Sequence, residues 1–271
     1  MVAPVVITGL NVERLTMTDT LYPILDFDPT PEAIIEPRKI IKPIDIPQRC
    51  VLCFFQDVIN HVCREGGRRV IAHLNSEIGK NPIYELELEG EHIAVVHPGV
   101  GAPLAVGFIE ELIALGCRKF IACGGAGVLN NELTVGHVVV PTSAIRDEGT
   151  SYHYLPPEQE AIPSAAGVAA ITAVLDKHHV PYVLGKTWTT DGLYRETRGR
   201  MEKRKAAGCL TVEMEASAFF AVAQFRGVDF AQILYGGDDL SGDLWDHRDW
   251  LAQTSTREKL LWLAAEAVLK L

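Results

Sequence analysis

The chain has 271 residues with a formal net charge of −10, and 48% of its residues are hydrophobic against 22% charged. This composition is ordinary for a soluble globular protein and allows one large α/β domain or two small ones. The acidic balance argues against nucleic acid as a partner. The absence of any apolar run of about 18 residues argues against a membrane-spanning helix and a membrane partner.

Residues 1–48 are rich in proline and show no sustained periodicity, as in "YPILDFDPTPEAIIEPRKIIKPIDIPQR". Because proline restricts its own backbone and that of the preceding residue, we predict an extended arm here. Short strands are predicted within it at Val5–Gly9 and Lys39–Ile41. Residues 49–271 are assigned to one domain that follows the arm.

Strand and helix patterns alternate from Cys50 onward. The run "CVLCFF" is typical of a buried strand, and "QDVINHVCREGG" predicts a helix that ends at glycine. Segment 68–101 predicts strands with a hairpin at Glu89–Glu91, and "APLAVGFIEELIALGC" predicts an amphipathic helix with Pro103 in its first turn. The alternation continues through "KFIACGGAGVL", "GHVVVPTSAI", "SAAGVAAITAVLDKHH", "PYVLGKTWTT", "ETRGRMEKRKAAG", "VDFAQILYGGDDLSGD" and "TSTREKLLWLAAEAVLKL". It predicts a mostly parallel or mixed sheet covered by helices.

Six cysteines are present, and Cys50 and Cys53 form a lone C-x-x-C pair. Such a pair could be a redox couple or half of a zinc site, but no second pair or histidine pair follows at metal-ligand spacing. We therefore predict buried free cysteines, no metal site and a reducing, cytoplasmic location. The N-terminal residues lack a basic segment followed by an apolar core, so no secretory signal is expected.

Several predicted strands run into segments with glycine or polar residues. Ligands of open α/β sheets bind at the carboxyl ends of strands, so these segments are candidate binding loops. One glycine loop alone serves a tight turn or close packing equally well, but their joint placement favours a ligand site. The segments are "HPGVGAP" at 97–103, "CGGAGVL" at 123–129, "TTDGLYRETR" at 189–198, "EMEA" at 213–216 and "GGDDLSGD" at 236–243.

Three longer motifs stand out among these segments: "VVHPGVGAPLAVGFIEELIALGCRKFI", "VEMEASAFFAVA" and "ILYGGDD". Together they resemble the nucleoside phosphorylase superfamily, which includes uridine phosphorylase, purine nucleoside phosphorylase and the methylthioadenosine nucleosidases. The resemblance extends from Cys50 to Leu271. It implies a single α/β domain whose mixed central sheet is partly barrel-like and flanked by helices. It also implies a homo-oligomer, a dimer or hexamer, in which apolar arm residues would cover a subunit contact; these are Ile24, Leu25, Phe27, Ile34 and Ile35.

The resemblance implies that the V-E-M-E-A motif binds the ribose of a nucleoside. Glu215 would accept hydrogen bonds from the ribose hydroxyls, Met214 would pack against the sugar, and Glu213 would lie close by. A carboxylate with two acceptor oxygens suits a vicinal diol, and a polarizable thioether suits an apolar sugar face. The alternative is that both acids are salt-bridged or lie at the rim of a site.

The resemblance also implies that Asp238, with Asp239 adjacent, is the catalytic acid. A leaving base acquires negative charge as the N-glycosidic bond breaks, and a nearby acid neutralises that charge, at N7 in a purine. The alternative for the Gly-Gly-Asp-Asp segment is a simple turn. The resemblance places base recognition in the segment "TTDGLYRETR". Its candidate residues are Leu193, Tyr194, Arg195, Glu196 and Arg198. The alternative is that this segment is the solvated, charged start of a helix.

The sequence departs from the family where phosphate would bind. The segment "CFFQDVI" lacks the expected glycine and arginine, and Ala122 and Gly125 stand where an arginine and a hydroxyl residue are expected. A phosphate dianion needs cationic or charge-assisted donors. One remaining candidate is an anion nest formed by the backbone N–H groups of Gly124, Gly125 and Gly127. The other is an arginine from elsewhere in the chain: Arg146 is the first candidate, followed by Arg68 and Arg69.

Three functions are therefore open. The first is phosphorolysis of uridine or a purine nucleoside to the free base and ribose 1-phosphate, with an atypical phosphate site. The second is hydrolysis, with an acid such as Asp57 or Asp28 activating water. The third is nucleoside binding without catalysis. No cofactor is expected in any of them, apart from inorganic phosphate as a co-substrate in the first.

Overall fold

Nine strands form one mixed β-sheet in the computed structural model, which describes residues 22–271. The strands lie side by side in the order β2-β3-β4-β1-β5-β8-β7-β6-β9, and β9 pairs back onto β5. They are β1 (Arg49–Cys53), β2 (Val70–Ser76), β3 (Gly79–Leu88), β4 (Glu91–Val96), β5 (Lys119–Val128), β6 (Val138–Asp147), β7 (Tyr182–Thr190), β8 (Cys209–Glu213) and β9 (Asp229–Asp239).

Five of the strands close into a ring, which is the barrel-like part of the sheet. Strand β5 pairs with β9 in parallel and with β8 in antiparallel fashion, and β8, β7, β6 and β9 complete the circuit. The other four strands, β1 to β4, extend the sheet from β5, with β1 next to it. The predicted hairpin at Glu89–Glu91 is confirmed between β3 and β4, where Glu89 and Gly90 both have positive φ. The expectation of a single α/β domain with a mixed, partly barrel-like sheet is therefore confirmed.

Helices cover the sheet on both sides. One core joins the sheet to α3 and α6, where the tilted rings of Phe219 and Phe230 lie 4.9 Å apart between centroids, and a second core joins it to α2, α4 and α7. The helices are α1 (Pro37–Ile40), α2 (Gln56–Ile59, continued by a wider turn at Asn60–Glu65), α3 (Ala102–Leu115), α4 (Ala165–Lys177), α5 (Arg198–Ala206), α6 (Ala216–Arg226) and α7 (Thr254–Leu269).

The segment before β1 differs from the sequence prediction at one place. The predicted strand at Lys39–Ile41 is wrong, because the structure has the short helix α1 there. Pro37 occupies its first turn, where the fixed proline φ suits a helix and the missing N–H costs nothing. The strand predicted at Val5–Gly9 lies outside the described residues, and the division into an arm and a domain at residue 48 stays a prediction.

Two glycine segments predicted as loops are strands instead. Strand β5 continues to Val128 and β9 continues to Asp239, so both pass through their glycines in extended form. A Cβ on Gly127 would lie 2.6 Å from Leu240 Cδ1, and one on Gly236 would lie 2.8 Å from Val128 Cγ1. Glycine is needed here because the closing strands approach each other closely, not because the chain turns.

All six cysteines are buried and free, as predicted. Cys50 and Cys53 both lie in β1 with no exposed surface, so the C-x-x-C pair is part of the core. None of the helices in residues 22–271 combines the length and the apolar character that crossing a bilayer requires.

Candidate active site

Three adjoining cavities open where β5, β8 and β9 end. The central cavity, of about 180 Å³, is bordered by Gly127, Glu196, Met214 and Asp238. The arginine cavity, of about 370 Å³, is bordered by Asp57, Met214, Glu215 and Arg257. The aromatic cavity, of about 670 Å³, is bordered by Glu196, Met201, Asp238 and Trp245. Trp250 borders all three, so one continuous depression joins the segments that the sequence singled out.

Glu213 borders the central and the arginine cavity and holds the backbone of the site in place. Its Oε2 accepts hydrogen bonds from the backbone N–H groups of Glu215 at 2.8 Å and Ala216 at 2.6 Å. Its Oε1 accepts from Thr189 Oγ1 at 2.6 Å. Burial raises the pKa of Glu213 to about 7, against the lowering effect of these hydrogen bonds. With three protein donors satisfied, the side chain serves mainly to cap α6 and fix the Met214 peptide.

Glu215 borders the arginine cavity and accepts fewer hydrogen bonds from the protein than Glu213 does, so its carboxylate can accept more from a ligand. It is 5% exposed, and its Oε1 accepts from the Gly101 N–H at 2.5 Å, at the N-terminus of α3. Burial, followed by the charge of Glu213, raises the pKa of Glu215 to about 8. Met214 borders both the central and the arginine cavity. The carboxylate and the thioether therefore border the same cavity.

Asp238 and Glu196 form an acidic pair on the shared wall of the central and aromatic cavities. Asp238 Oδ2 accepts from Trp245 Nε1 at 2.7 Å. Burial, and then the charge of Asp238, raise the pKa of Glu196 to about 7. Asp239 is separated from this pair, because it forms an ion pair with Arg248 at 2.5 Å. One acid of the Glu196–Asp238 pair can thus hold a proton at neutral pH.

The other predicted base-binding residues differ in which cavity they border. Leu193 borders the central cavity, whereas Tyr194 borders only the aromatic cavity and is 91% exposed. Arg198 borders the aromatic cavity, and its guanidinium donates to the carbonyl oxygens of Leu240, Ser241 and Gly242. Arg195 is exposed and borders none of the three cavities.

The predicted phosphate ligands are largely misplaced. Gly125 and Gly127 border the central cavity, but Gly124 does not, and none of the three has the positive φ of an anion nest. The nest prediction fails because these residues continue β5. Arg146 borders none of the cavities.

The arginine candidates of the sequence do not reach the site, and two of them are held by other groups. The Arg146 guanidinium donates to Ser151 Oγ at 2.9 Å and to backbone carbonyl oxygens of the segment 155–159. Arg69 is ion-paired with Glu85 at 2.9 Å, away from the cavities. Arg68 borders none of them. None of these three arginines supplies a positive charge to the cavities, and the arginine that borders the arginine cavity belongs to another part of the chain.

That arginine is Arg257 of α7, which the sequence analysis missed. It borders the arginine cavity and forms an ion pair with Asp57 at 3.1 Å, with its guanidinium carbon 4.7 Å from the Phe55 ring centroid. Its Nε and the Oε1 of Gln232 are buried without a hydrogen-bond partner among the described residues.

Asp28, the other acid that could activate water, lies away from the cavities; it is exposed and accepts a hydrogen bond from the Thr30 N–H. No group of three or more His, Cys, Asp or Glu side chains between residues 22 and 271 is arranged to hold a metal ion.

Residues 48–270 match the phosphorylase superfamily, and the chain belongs to that family. A guanosine phosphorylase of Halorubrum lacusprofundi is 30% identical over 146 residues, which cover 54% of this chain and 61% of that protein, less than two thirds of its length. The uridine phosphorylase structure from Vibrio fischeri ES114 superposes with a TM-score of 0.73 at 24% identity, covering 87% of this chain and 98% of that one. The AMP nucleosidase structure from Bacteroides thetaiotaomicron superposes with a TM-score of 0.70 at 20% identity, covering 86% and 96%.

Proposed function

We propose that the chain cleaves the N-glycosidic bond of a nucleoside. The observation behind this proposal is the order of groups across the adjoining cavities. The Glu215 carboxylate borders one cavity, the Glu196–Asp238 acid pair borders the next, and Met214 lies between them. A ribose diol donates to Glu215, the sugar packs on Met214, and the base enters the central cavity toward the acid pair.

The acid pair supports departure of the base. As the bond breaks, positive charge develops on the sugar and negative charge on the base. A proton from the Glu196–Asp238 pair transfers to the base, at N7 when the base is a purine, and neutralises that charge. Because burial and Asp238 raise the pKa of Glu196 to about 7, this proton is present at neutral pH. Glu215, whose pKa burial raises to about 8, stabilises the sugar from the opposite side in its ionised form, which becomes the major form above about pH 8.

Phosphorolysis of uridine or a purine nucleoside is the first candidate for the complete reaction. The arginine cavity adjoins the proposed sugar position, and Arg257 is a cation that an oxyanion can bind there. The family name and the guanosine phosphorylase relative support this candidate. Phosphate would have to displace Asp57, which now neutralises Arg257 and whose side chain is 44% exposed.

Hydrolysis is the second candidate, and one observation favours it. Asp57 places a carboxylate in the cavity where the attacking group is expected, and a carboxylate activates water but repels a phosphate dianion. Arg257 would then hold that carboxylate in position, with its guanidinium fixed over Phe55. Nucleoside binding without turnover remains the third function to test.

Product analysis distinguishes the candidates. The protein is incubated with uridine, inosine, guanosine and adenosine, with and without phosphate. Ribose 1-phosphate formed only with phosphate establishes phosphorolysis, whereas free ribose formed at a phosphate-independent rate establishes hydrolysis. Saturable nucleoside binding without any product refutes both and leaves a binding protein.

Asp57→Asn sharpens the comparison, because the two candidates predict opposite effects. If phosphate binds Arg257, removing its counter-ion lowers the KM for phosphate. If Asp57 activates water, the same change lowers kcat by about 10²–10⁴-fold. Arg257→Met abolishes phosphate dependence in the first case. Asp45→Asn is the matched control, since Asp45 is an exposed acid that borders none of the three cavities.

A homo-oligomer remains part of the proposal. Two apolar side chains of the segment before β1 face solvent, with Ile34 105% and Ile35 75% exposed. A second copy of the chain would bury them, as the resemblance implies. Sedimentation at micromolar concentration tests this, and a monomer that stays unchanged on dilution would contradict it.

A further inference from the structure

The aromatic cavity is larger than the proposed reaction needs. At about 670 Å³ it exceeds the central cavity, of about 180 Å³, which the proposed function assigns to the base. It opens from the central cavity and lies on the side of the acid pair away from Glu215. A cavity of this size that adjoins a binding site and is lined by aromatic side chains usually holds part of a ligand.

The walls of this cavity combine aromatic and charged side chains, and Trp245 is 63% exposed. Trp245 and His247 meet edge to face, with ring centroids 5.3 Å apart, and His247 lies 6.3 Å from the Trp250 ring. Met201 of α5, only 2% exposed, forms another wall. The charge of Arg198 is directed at the carbonyl oxygens of the loop after β9. An apolar or aromatic group therefore finds favourable contacts here.

The position of the acid pair specifies which part of a ligand would enter. Glu196 and Asp238 border both cavities, and Asp238 is anchored at the boundary by its hydrogen bond from Trp245. A purine that receives a proton at N7 from this pair has its exocyclic C6 group next to N7, on the same edge. That group consequently faces the aromatic cavity, while the sugar faces Glu215.

We propose that the chain accepts purine nucleosides with an aromatic or branched apolar substituent on the exocyclic N6 nitrogen. The substituent lies in the aromatic cavity, against Met201, Trp245 and His247. This inference rests on the proposed function, because it uses the orientation of a purine toward the acid pair. It identifies the substrate class by the shape and chemistry of a cavity that an unsubstituted base leaves empty.

The test compares N6-benzyladenosine with adenosine. We expect kcat/KM for the benzyl compound to be higher by about tenfold, since even partial burial of an aromatic group against aromatic rings and a thioether contributes about that much. A value tenfold lower than that of adenosine would overturn the proposal while leaving the proposed function intact.

Binding provides a readout that does not depend on turnover. Trp245 and Trp250 border the cavity, so their fluorescence reports on its occupation. The free base N6-benzyladenine should quench it with a dissociation constant about tenfold below that of adenine. If no nucleoside is cleaved, the proposed function fails, and this titration still decides the ligand class. Equal dissociation constants for the two bases would refute the proposal that the aromatic cavity binds an N6 substituent.

Met201→Phe fills the cavity from a wall that the proposed reaction does not use. It should lower the ratio of kcat/KM for N6-benzyladenosine to that for adenosine by about tenfold. Lys203→Phe on the exposed side of the same helix is the control and should leave the ratio unchanged. If Met201→Phe does not fold, a series of N6-methyl, N6-butyl and N6-benzyl adenosines on the unaltered protein replaces it. A KM that rises along this series would contradict the proposal.

Discussion

Replacing each acid of the V-E-M-E-A motif by glutamine should separate a structural acid from a ligand-binding one. Glu213 accepts three hydrogen bonds from the protein, whereas Glu215 accepts one from Gly101. We expect Glu213→Gln to reduce stability and Glu215→Gln to reduce activity. The two variants have the same shape change, so each is the matched control for the other.

The cost of Glu213→Gln follows from its three hydrogen bonds. The amide oxygen can keep the two backbone donors as neutral bonds, but the amide nitrogen faces Thr189 Oγ1, which now donates at 2.6 Å. Because burial raises the pKa of Glu213 to about 7, its charge does not stabilise the fold, and the cost comes from the Thr189 hydroxyl, which loses its acceptor. That cost is about 1–3 kcal/mol, which corresponds to a fall in Tm of roughly 2–12 °C.

Glu215→Gln should behave in the opposite way. Burial raises the pKa of Glu215 to about 8, so its ionised form is unfavourable in the folded protein and removing the charge should not lower Tm. A neutral amide cannot accept two ribose hydroxyls as a carboxylate does. The expected loss in transition-state stabilisation is about 2–4 kcal/mol, or about 30–1,000-fold in kcat/KM.

Thermal unfolding at pH 8 and steady-state kinetics on the best-cleaved nucleoside check both expectations. The reasoning would be refuted if Glu215→Gln cleaved that nucleoside as well as the parent. It would also be refuted if Glu213→Gln unfolded at the parental Tm. The reverse pattern, with activity lost only in Glu213→Gln, would exchange the two roles.

Three other changes test the acid pair and the segment before β1. Asp238→Asn should slow purine nucleosides by roughly 10²–10⁴-fold and uridine much less, and equal slowing would mean that the residue only shapes the cavity. Burial and Asp238 raise the pKa of Glu196 to about 7, and burial and Glu213 raise that of Glu215 to about 8. A protonated Glu196 and an ionised Glu215 are both required, so purine kcat/KM should peak between about pH 7 and 8, and in Glu196→Gln the alkaline fall should disappear from the pH profile. Arg226 pairs with Glu110 at 2.9 Å and Glu36 at 3.5 Å, all largely buried. Arg226→Met should therefore cost about 3–5 kcal/mol in urea unfolding, and Arg226→Lys should cost less.

The sequence was informative where local pattern and spacing decide the structure. The apolar runs of β1 and β5 and the Glu89–Gly90 turn follow from local preferences, and the structure has them. The V-E-M-E-A motif places its three residues together because they join β8 to α6 without a gap. These features depend on neighbours in the chain, which a single sequence displays directly.

Other parts of the site depend on residues far apart in the chain. Asp57 and Arg257 are 200 positions apart and meet only because α7 packs beside α2. Neither lies in a motif, so no local signal links them. The glycines of β5 were assigned to a loop because glycine is common in turns, whereas here they allow the ring of strands to close. Arg146 is unsuited to anion binding because of carbonyl oxygens that only the folded chain brings to it.

Trp250 has a consequence for how the specificity of this protein can be changed. Its side chain borders all three cavities, and its carbonyl oxygen accepts from the Tyr235 hydroxyl at 2.9 Å. A substitution there alters every subsite at once, so selection for one new substrate would disturb the others. Met201 and Gln232 each border a single cavity. Laboratory evolution of this protein should thus keep Trp250 fixed and diversify those two walls, where one subsite can change independently of its neighbours.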